Sequence, residues 1–212
     1  MPSTPSEPGV RQVFLARHGR TALNVGDRLR GLSNPPLDEV GIAEAKALAD
    51  VLAAHHPTAV LCSPLQRAIS TATAIAAAAG LEVTIDARLN DRDYGPWTGE
   101  LRSEVIARFG SVDDAPGVEP LPVVAARATA AFHDIVTEYP TGPLVLVSHD
   151  AFNQPLLTAL APRLTGVRQR TACWNRIEFL DGTWQVLEVD QKPATTDRPA
   201  LTRTGESPPR QG

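Results

Sequence analysis

Cysteine is almost missing from this chain: among 212 residues only Cys62 and Cys173 carry a thiol. Two cysteines cannot build a disulfide framework, and their spacing fits no zinc site, so both are expected in a core within a reducing compartment. Aromatic residues are also sparse, at 5%, and nothing in the composition suggests a fibre. An excess of basic residues is lacking too. At a net charge of −4 the chain has no overall attraction for phosphate backbones or anionic membranes, so nucleic acid and membranes are not expected partners, and any anion site must be a local gathering of arginines. No apolar stretch approaches the roughly 20 residues that span a bilayer. The stretch from Met1 to Val10 is polar and contains proline, which is the expectation of no signal peptide and of cytoplasmic residence.

What is present reads as an ordinary globular domain. Hydrophobic residues make up 42% and charged ones 21%, and a chain of this length suffices for one well-buried core. The expected organisation is a flexible N-terminus over 1–10, a domain over 11–190 and a disordered tail over 191–212, where proline and polar residues follow no period.

Val13-Phe14-Leu15-Ala16 is a continuous apolar run that stops at Arg17-His18-Gly19, as a buried parallel strand entering a loop would. Asp38 is placed to cap a helix carrying Ala43, Ala47, Leu48, Val51 and Leu52 on one face. The unit then repeats. Ala59-Val60-Leu61 predicts a strand, Ser63 an N-cap, Pro64 the first helical position, and an alanine-rich helix reaches Gly80 with Arg67 in its first turn. Val83-Thr84-Ile85 predicts another strand, Asn90 to Gly99 a loop, and Val123 to Tyr139 a helix. Leu144-Val145-Leu146-Val147 is the clearest buried strand and ends at Ser148-His149-Asp150, ahead of a helical pattern around Pro155 to Leu160. Near the end, two short apolar runs flank Asp181-Gly182, a hairpin signal. This alternation predicts a three-layer α/β/α sandwich with a mostly parallel central sheet, closed by an antiparallel hairpin. Ligands in such sheets bind beyond the carboxyl ends of the strands, where His18, Arg67 and His149 all fall.

Those residue types suit phosphoryl transfer. The reaction needs a nucleophile in line with the leaving oxygen and cationic donors around the equatorial oxygens. Arginine forks donate bidentately and stay charged, and histidine attacks through a neutral ring nitrogen near pH 7. Arg17 and Arg67 are therefore the expected clamp, His18 the nucleophile and His149 a further donor. Gly19 lets the backbone bend so that a carbonyl can fix the His18 tautomer.

Arg17-His18-Gly19-Arg20-Thr21 with Asn24, then Pro36-Leu37-Asp38 with Gly41, Ser63-Pro64-Leu65 with Arg67-Ala68, Leu89 to Gly99, and Val147-Ser148-His149 together resemble the histidine phosphatase superfamily, also called phosphoglycerate mutase-like. The resemblance covers nearly the whole chain. It implies a phosphohistidine on His18, a phosphate pocket completed by Arg17, Arg67 and His149, contacts from Asn24 and Thr21, and no metal or cofactor. Two positions depart from the family pattern. Asp91 stands where relatives commonly have a glutamate acid, and Asp150 stands where this branch usually has glycine, so either is a candidate proton donor, with Asp91 favoured. Arg30 replaces a common glutamine and suggests an acidic substrate, a reading that competes evenly with a solvated loop cation. Tyr94 and Trp97 read as packing residues, His55 and His56 as a solvated helix end, and His133 as part of a helix face.

The expected function is hydrolysis of a small phosphorylated metabolite. A mutase is the first alternative, and a phosphate-sensing module without turnover the second; a homodimer is left open.

Overall fold

A computed structural model describes residues 11–193. The expectations for 1–10, and for the tail beyond 193, lie outside the described residues.

One six-stranded sheet organises the chain, in the order β3-β2-β4-β1-β5-β6. Strands β1 (Gln12–Arg17), β2 (Ala59–Cys62), β3 (Val83–Ile85) and β4 (Pro143–Ser148) are parallel to one another, whereas β5 (Trp174–Leu180), antiparallel to β1, and β6 (Thr183–Gln191) form the hairpin on the far side of β1. The hairpin turns at Asp181-Gly182, where both residues have positive φ, the conformation that an Asp-Gly pair accepts most readily.

The apolar runs are continuous because both faces of the sheet are covered. Along β1, Val13 and Leu15 join one core cluster, and Phe14 and Ala16 join the other. Along β4, Leu144 and Leu146 alternate with Val145 and Val147 in the same way. Helices α2 (Glu39–Ala53) and α3 (Gln66–Ala79) supply one outer layer, and α5 (Leu121–Glu138) and α6 (Asp150–Leu160) the other. This is the predicted sandwich. A smaller apolar cluster of Leu29, Tyr94, Val105, Val112, Ala115 and Val118 supports the loops beside the sheet's carboxyl edge.

Several boundaries differ from the sequence reading. Helix α3 begins at Gln66 behind Leu65, not at Pro64. The Ser63 hydroxyl instead accepts from the Leu65 amide, and the free amide of Gln66 is met by the Asn34 side chain at 2.6 Å. Helix α6 begins at Asp150, five residues before Pro155, with His149 as its N-cap. Proline is tolerated at position 155 because only one ladder N–H is lost in a helix already nucleated by His149 accepting from Asn153 at 2.8 Å. Helices α1 (Ala22–Val25) and α4 (Arg102–Phe109) were not foreseen; each is short, and α4 buries only Val105.

Close backbone packing fixes the loop after β1. Gly19 lies against the Gly41 carbonyl, and Gly41 against the backbone of Arg20, so closely that a Cβ at either position would overlap main-chain atoms. The loop is thereby pressed onto the first turn of α2, where Asp38 accepts from the Gly41 amide at 2.8 Å.

Candidate active site

His18, the residue immediately after β1, is fully buried, and its partners define its tautomer. Its Nδ1 is 2.6 Å from the carbonyl of Gly19, which can only accept, so Nδ1 carries the proton. Its Nε2 is 3.2 Å from Nε of Arg67, which can only donate, so Nε2 presents its lone pair. Burial, reinforced by the charges of His149 if protonated and of Arg67, Arg17 and Arg30, lowers the His18 pKa well below the ordinary value. The ring is therefore neutral at pH 7, with Nε2 unprotonated.

Arg67 is held as firmly as it is buried. Its guanidinium donates to the Ser33 carbonyl at 2.7 Å, to the Gly31 carbonyl at 2.9 Å and to Oδ2 of Asp91 at 2.9 Å. These carbonyls come from the loop ahead of α2, where Gly31 turns at positive φ. Loop 31–33 and the 3-10 turn that precedes Asp91 thus converge on one side chain from the second residue of α3.

His149 directly follows β4, one strand away from His18, because β4 pairs with β1 in parallel register with Arg17 opposite Ser148. The two imidazole centroids are 5.1 Å apart. Burial first, then Arg67, lowers the His149 pKa as well, so this ring is neutral in the free protein and offers one N–H rather than the two of a cation. Its Nδ1 stands 3.6 Å from Asp91, and neither ring nitrogen has a hydrogen-bond partner. Buried Nε atoms of Arg17 and Arg30 are also unpartnered. An unmet buried polar atom costs about 1–3 kcal/mol. Four such atoms around one spot mark a place for a polar ligand.

Arg17 donates to the Gln169 carbonyl, and its Nη2 lies 3.7 Å from Asp150. Arg30 is buried, with 8% of its surface exposed, which removes the reading of a solvated cation. It donates to Asp150 at 3.0 Å. The two carboxylates respond oppositely to this environment. Burial and the Asp150 charge raise the Asp91 pKa despite Arg67 and Arg30. Burial would raise that of Asp150 too, but Arg17, Arg30 and Arg102 outweigh it and hold the group well below the usual carboxylate range. Thr21 is buried and donates to Asn24 Oδ1 at 2.8 Å, so this pair closes the short α1 turn. A polar cavity of about 700 Å³ opens above, lined by Arg17, Asn24, Arg30, Arg102, Asp150 and Gln154 among others.

Sequence reasoning missed Gln169 and Asn175. The Asn175 amide donates to the Leu15 carbonyl and to Gln169 Oε1, each at 2.8 Å, and Gln169 Nε2 returns a bond at 2.9 Å. This closed amide pair holds the carbonyl on which Arg17 rests. No motif surrounds either residue, and only the fold brings Asn175 opposite Leu15 of β1 and Gln169 against it.

The profile of the histidine phosphatase superfamily (branch 1) matches residues 13–192. A glucosyl-3-phosphoglycerate phosphatase from Mycolicibacterium vanbaalenii is 34% identical over 174 residues, covering 74% of this chain and 76% of that protein. The enzyme of the same name from Mycobacterium tuberculosis is 31% identical over 198 residues, 82% of this chain and 86% of its own. A solved mycobacterial glucosyl-3-phosphoglycerate phosphatase complexed with VO3 superposes with a TM-score of 0.74 at 27% identity, over 86% of this chain and the whole of that one. A profile match across the described domain, with relatives of this similarity, shows that the chain belongs to the histidine phosphatase superfamily and is a phosphatase that hydrolyses the phosphate ester of a small metabolite.

Proposed function

We propose that His18 is the nucleophile, that Arg17, Arg67 and His149 hold the phosphoryl group, and that Asp91 is the proton donor. One observation carries the assignment: the partners of His18 leave the Nε2 lone pair facing Arg67 and beside the unpartnered His149 ring.

In the first step Nε2 attacks phosphorus, the bond to the ester oxygen breaks, and the departing oxygen takes the proton of Asp91. Arg67, already aligned, exchanges its bond to Nε2 for the equatorial oxygens, where its fork stabilises developing charge. In the second step water attacks phosphorus and gives its proton to Asp91. The P–N bond breaks, and inorganic phosphate leaves with His18 neutral again. Asp91 is chosen over Asp150 because its pKa is raised, whereas Asp150 is held ionised by its arginines and has no proton to give. Cationic side chains provide the charge neutralisation that a metal provides elsewhere.

The names of the relatives point to a phosphorylated sugar acid, so glucosyl-3-phosphoglycerate is the first substrate to assay. Two buried, unpaired cysteines fit action in the cytoplasm, where phosphorylated metabolites are held.

Mixing the protein with radiolabelled p-nitrophenyl phosphate and quenching in alkali, which preserves a phosphoramidate, tests the assignment. Label is expected on His18 and is lost in His18→Ala. Turnover in that variant at the wild-type rate would remove His18 from the mechanism.

A further inference from the structure

Asp150 is an ionised carboxylate set into a cationic pocket. Its Oδ1 is 3.0 Å from Arg30 and its Oδ2 3.7 Å from Arg17. Arg30 has no other ionic partner among the described residues, and its remaining hydrogen bond, to the Arg28 carbonyl, is long at 3.4 Å. Asp150 therefore decides how much of the Arg30 charge a ligand can use. It also lines the polar cavity together with Arg17 and Arg30, whereas His18 and His149 are fully buried.

We propose that Asp150 is a specificity-determining residue that confines the pocket to substrates with a single phosphoryl group and excludes bisphosphorylated ones. The inference rests on the reading of this pocket as the phosphate site. The guanidinium groups of Arg17, Arg30 and Arg67 bring three positive charges, and Asp150 offsets one. With Asp91 protonated, what remains matches one phosphoryl dianion and leaves nothing for a second.

The outer wall of the cavity offers little more. Arg20 is paired with Asp38, Arg102 with Asp27, Arg170 with Asp190 and Lys192 with Glu44. A second phosphoryl group in this cavity meets the negative charge of Asp150, and each of the cavity's cations except the exposed Arg168 already has an acidic neighbour within 4.0 Å among the described residues. Like-charge juxtaposition of this kind is how a site rejects a competitor. The same arrangement disfavours mutase chemistry, which requires a bisphosphate to be retained.

The test compares glucose 6-phosphate with glucose 1,6-bisphosphate, reading kcat/KM for phosphate release in the wild type, Asp150→Asn and Arg30→Gln. Because each variant is judged by the ratio of the two substrates, intrinsic differences in their chemistry cancel. Asp150→Asn, which keeps the shape and removes the charge, is expected to shift the ratio toward the bisphosphate by about tenfold. Arg30→Gln, which leaves the carboxylate unopposed, shifts it the other way. An unchanged ratio in both variants, with kcat/KM for both substrates lowered alike, would make Asp150 a structural brace for the arginines and overturn the proposal. Calorimetric titration of the same two ligands into proteins that also carry His18→Ala gives the ratio independently of turnover. Loss of hydrolysis in the wild type would thus count against the phosphatase mechanism, and an unmoved binding ratio against the role of Asp150.

Discussion

Nε of Arg67 donates to Nε2 of His18 across 3.2 Å, while the far side of the same guanidinium donates to Asp91 at 2.9 Å. One side chain thus links the attacking nitrogen to the proposed acid. It also donates to two loop carbonyls, those of Gly31 and Ser33.

Arg67→Lys keeps the charge and loses the fork. It is expected to lower kcat/KM by roughly 10²-fold or more, in the range seen when one transition-state donor is removed. The carbonyls of Gly31 and Ser33 would be left unmet, at about 1–3 kcal/mol for a buried polar group. Steady-state kinetics and urea denaturation read the two effects separately. Wild-type activity in this variant would show that a point charge suffices.

Asp91→Asn removes the proposed acid and leaves its volume. Hydrolysis of an alkyl phosphate, whose alkoxide must be protonated as it leaves, is expected to fall by about 10²–10⁴-fold. Hydrolysis of an aryl phosphate, whose phenolate leaves unaided, should fall far less. An equal loss on both substrates would move the acid elsewhere.

The pH profile follows from the directions of two shifts. The His18 pKa lies well below its ordinary 6.5, so the nucleophile remains neutral into the acid range and is lost only as pH falls through that lowered value. Asp91 has a raised pKa, so its proton is retained further up the scale than in an ordinary carboxylic acid and is lost as pH rises. Turnover of alkyl phosphates is therefore expected to be fastest below the raised pKa of Asp91 and to decline as Asp91 ionises. Asp91→Asn should flatten that alkaline decline in a profile of kcat/KM, and a decline that persists there would point to another group.

Two glycines give a contrast in stability. At Gly41 an added Cβ would overlap the Arg20 backbone, so Gly41→Ala must push the loop after β1 away from α2. A loss of about 1–3 kcal/mol, as for overpacking, is expected together with reduced kcat. At Gly80 the space is open but φ is +70°. Gly80→Ala should cost about 1–2 kcal/mol for left-handed strain alone and leave kcat unchanged. Chemical denaturation with parallel kinetics decides whether loop position and catalysis are coupled in the way the packing implies.

The elements that were legible in the sequence are those whose neighbours are generic. A run such as Leu144 to Val147 can be buried on both faces only inside a sheet, and Asp181-Gly182 turns a hairpin whatever surrounds it. The start of α6 was less legible. Pro155 is a common helix-opening residue, but the first turn here is made by the carbonyl of His149, which carries no local signal. Helix α4 was missed for a related reason, since it packs mainly through Val105 onto a small cluster that only the folded loops create.

The sequence by itself determined the chemistry on offer: an Arg-His-Gly turn after a buried strand, an arginine in the first turn of a helix and a second histidine after a parallel strand are local facts, set by residue type and periodicity. The tertiary structure decided what those groups do to one another. Only folding puts Asp91 and Asp150 into the same pocket, and there burial raises the pKa of one while arginines hold the other ionised. Proton affinity depends on desolvation and on charges brought from distant segments, and neither is written in a residue's own neighbours along the chain.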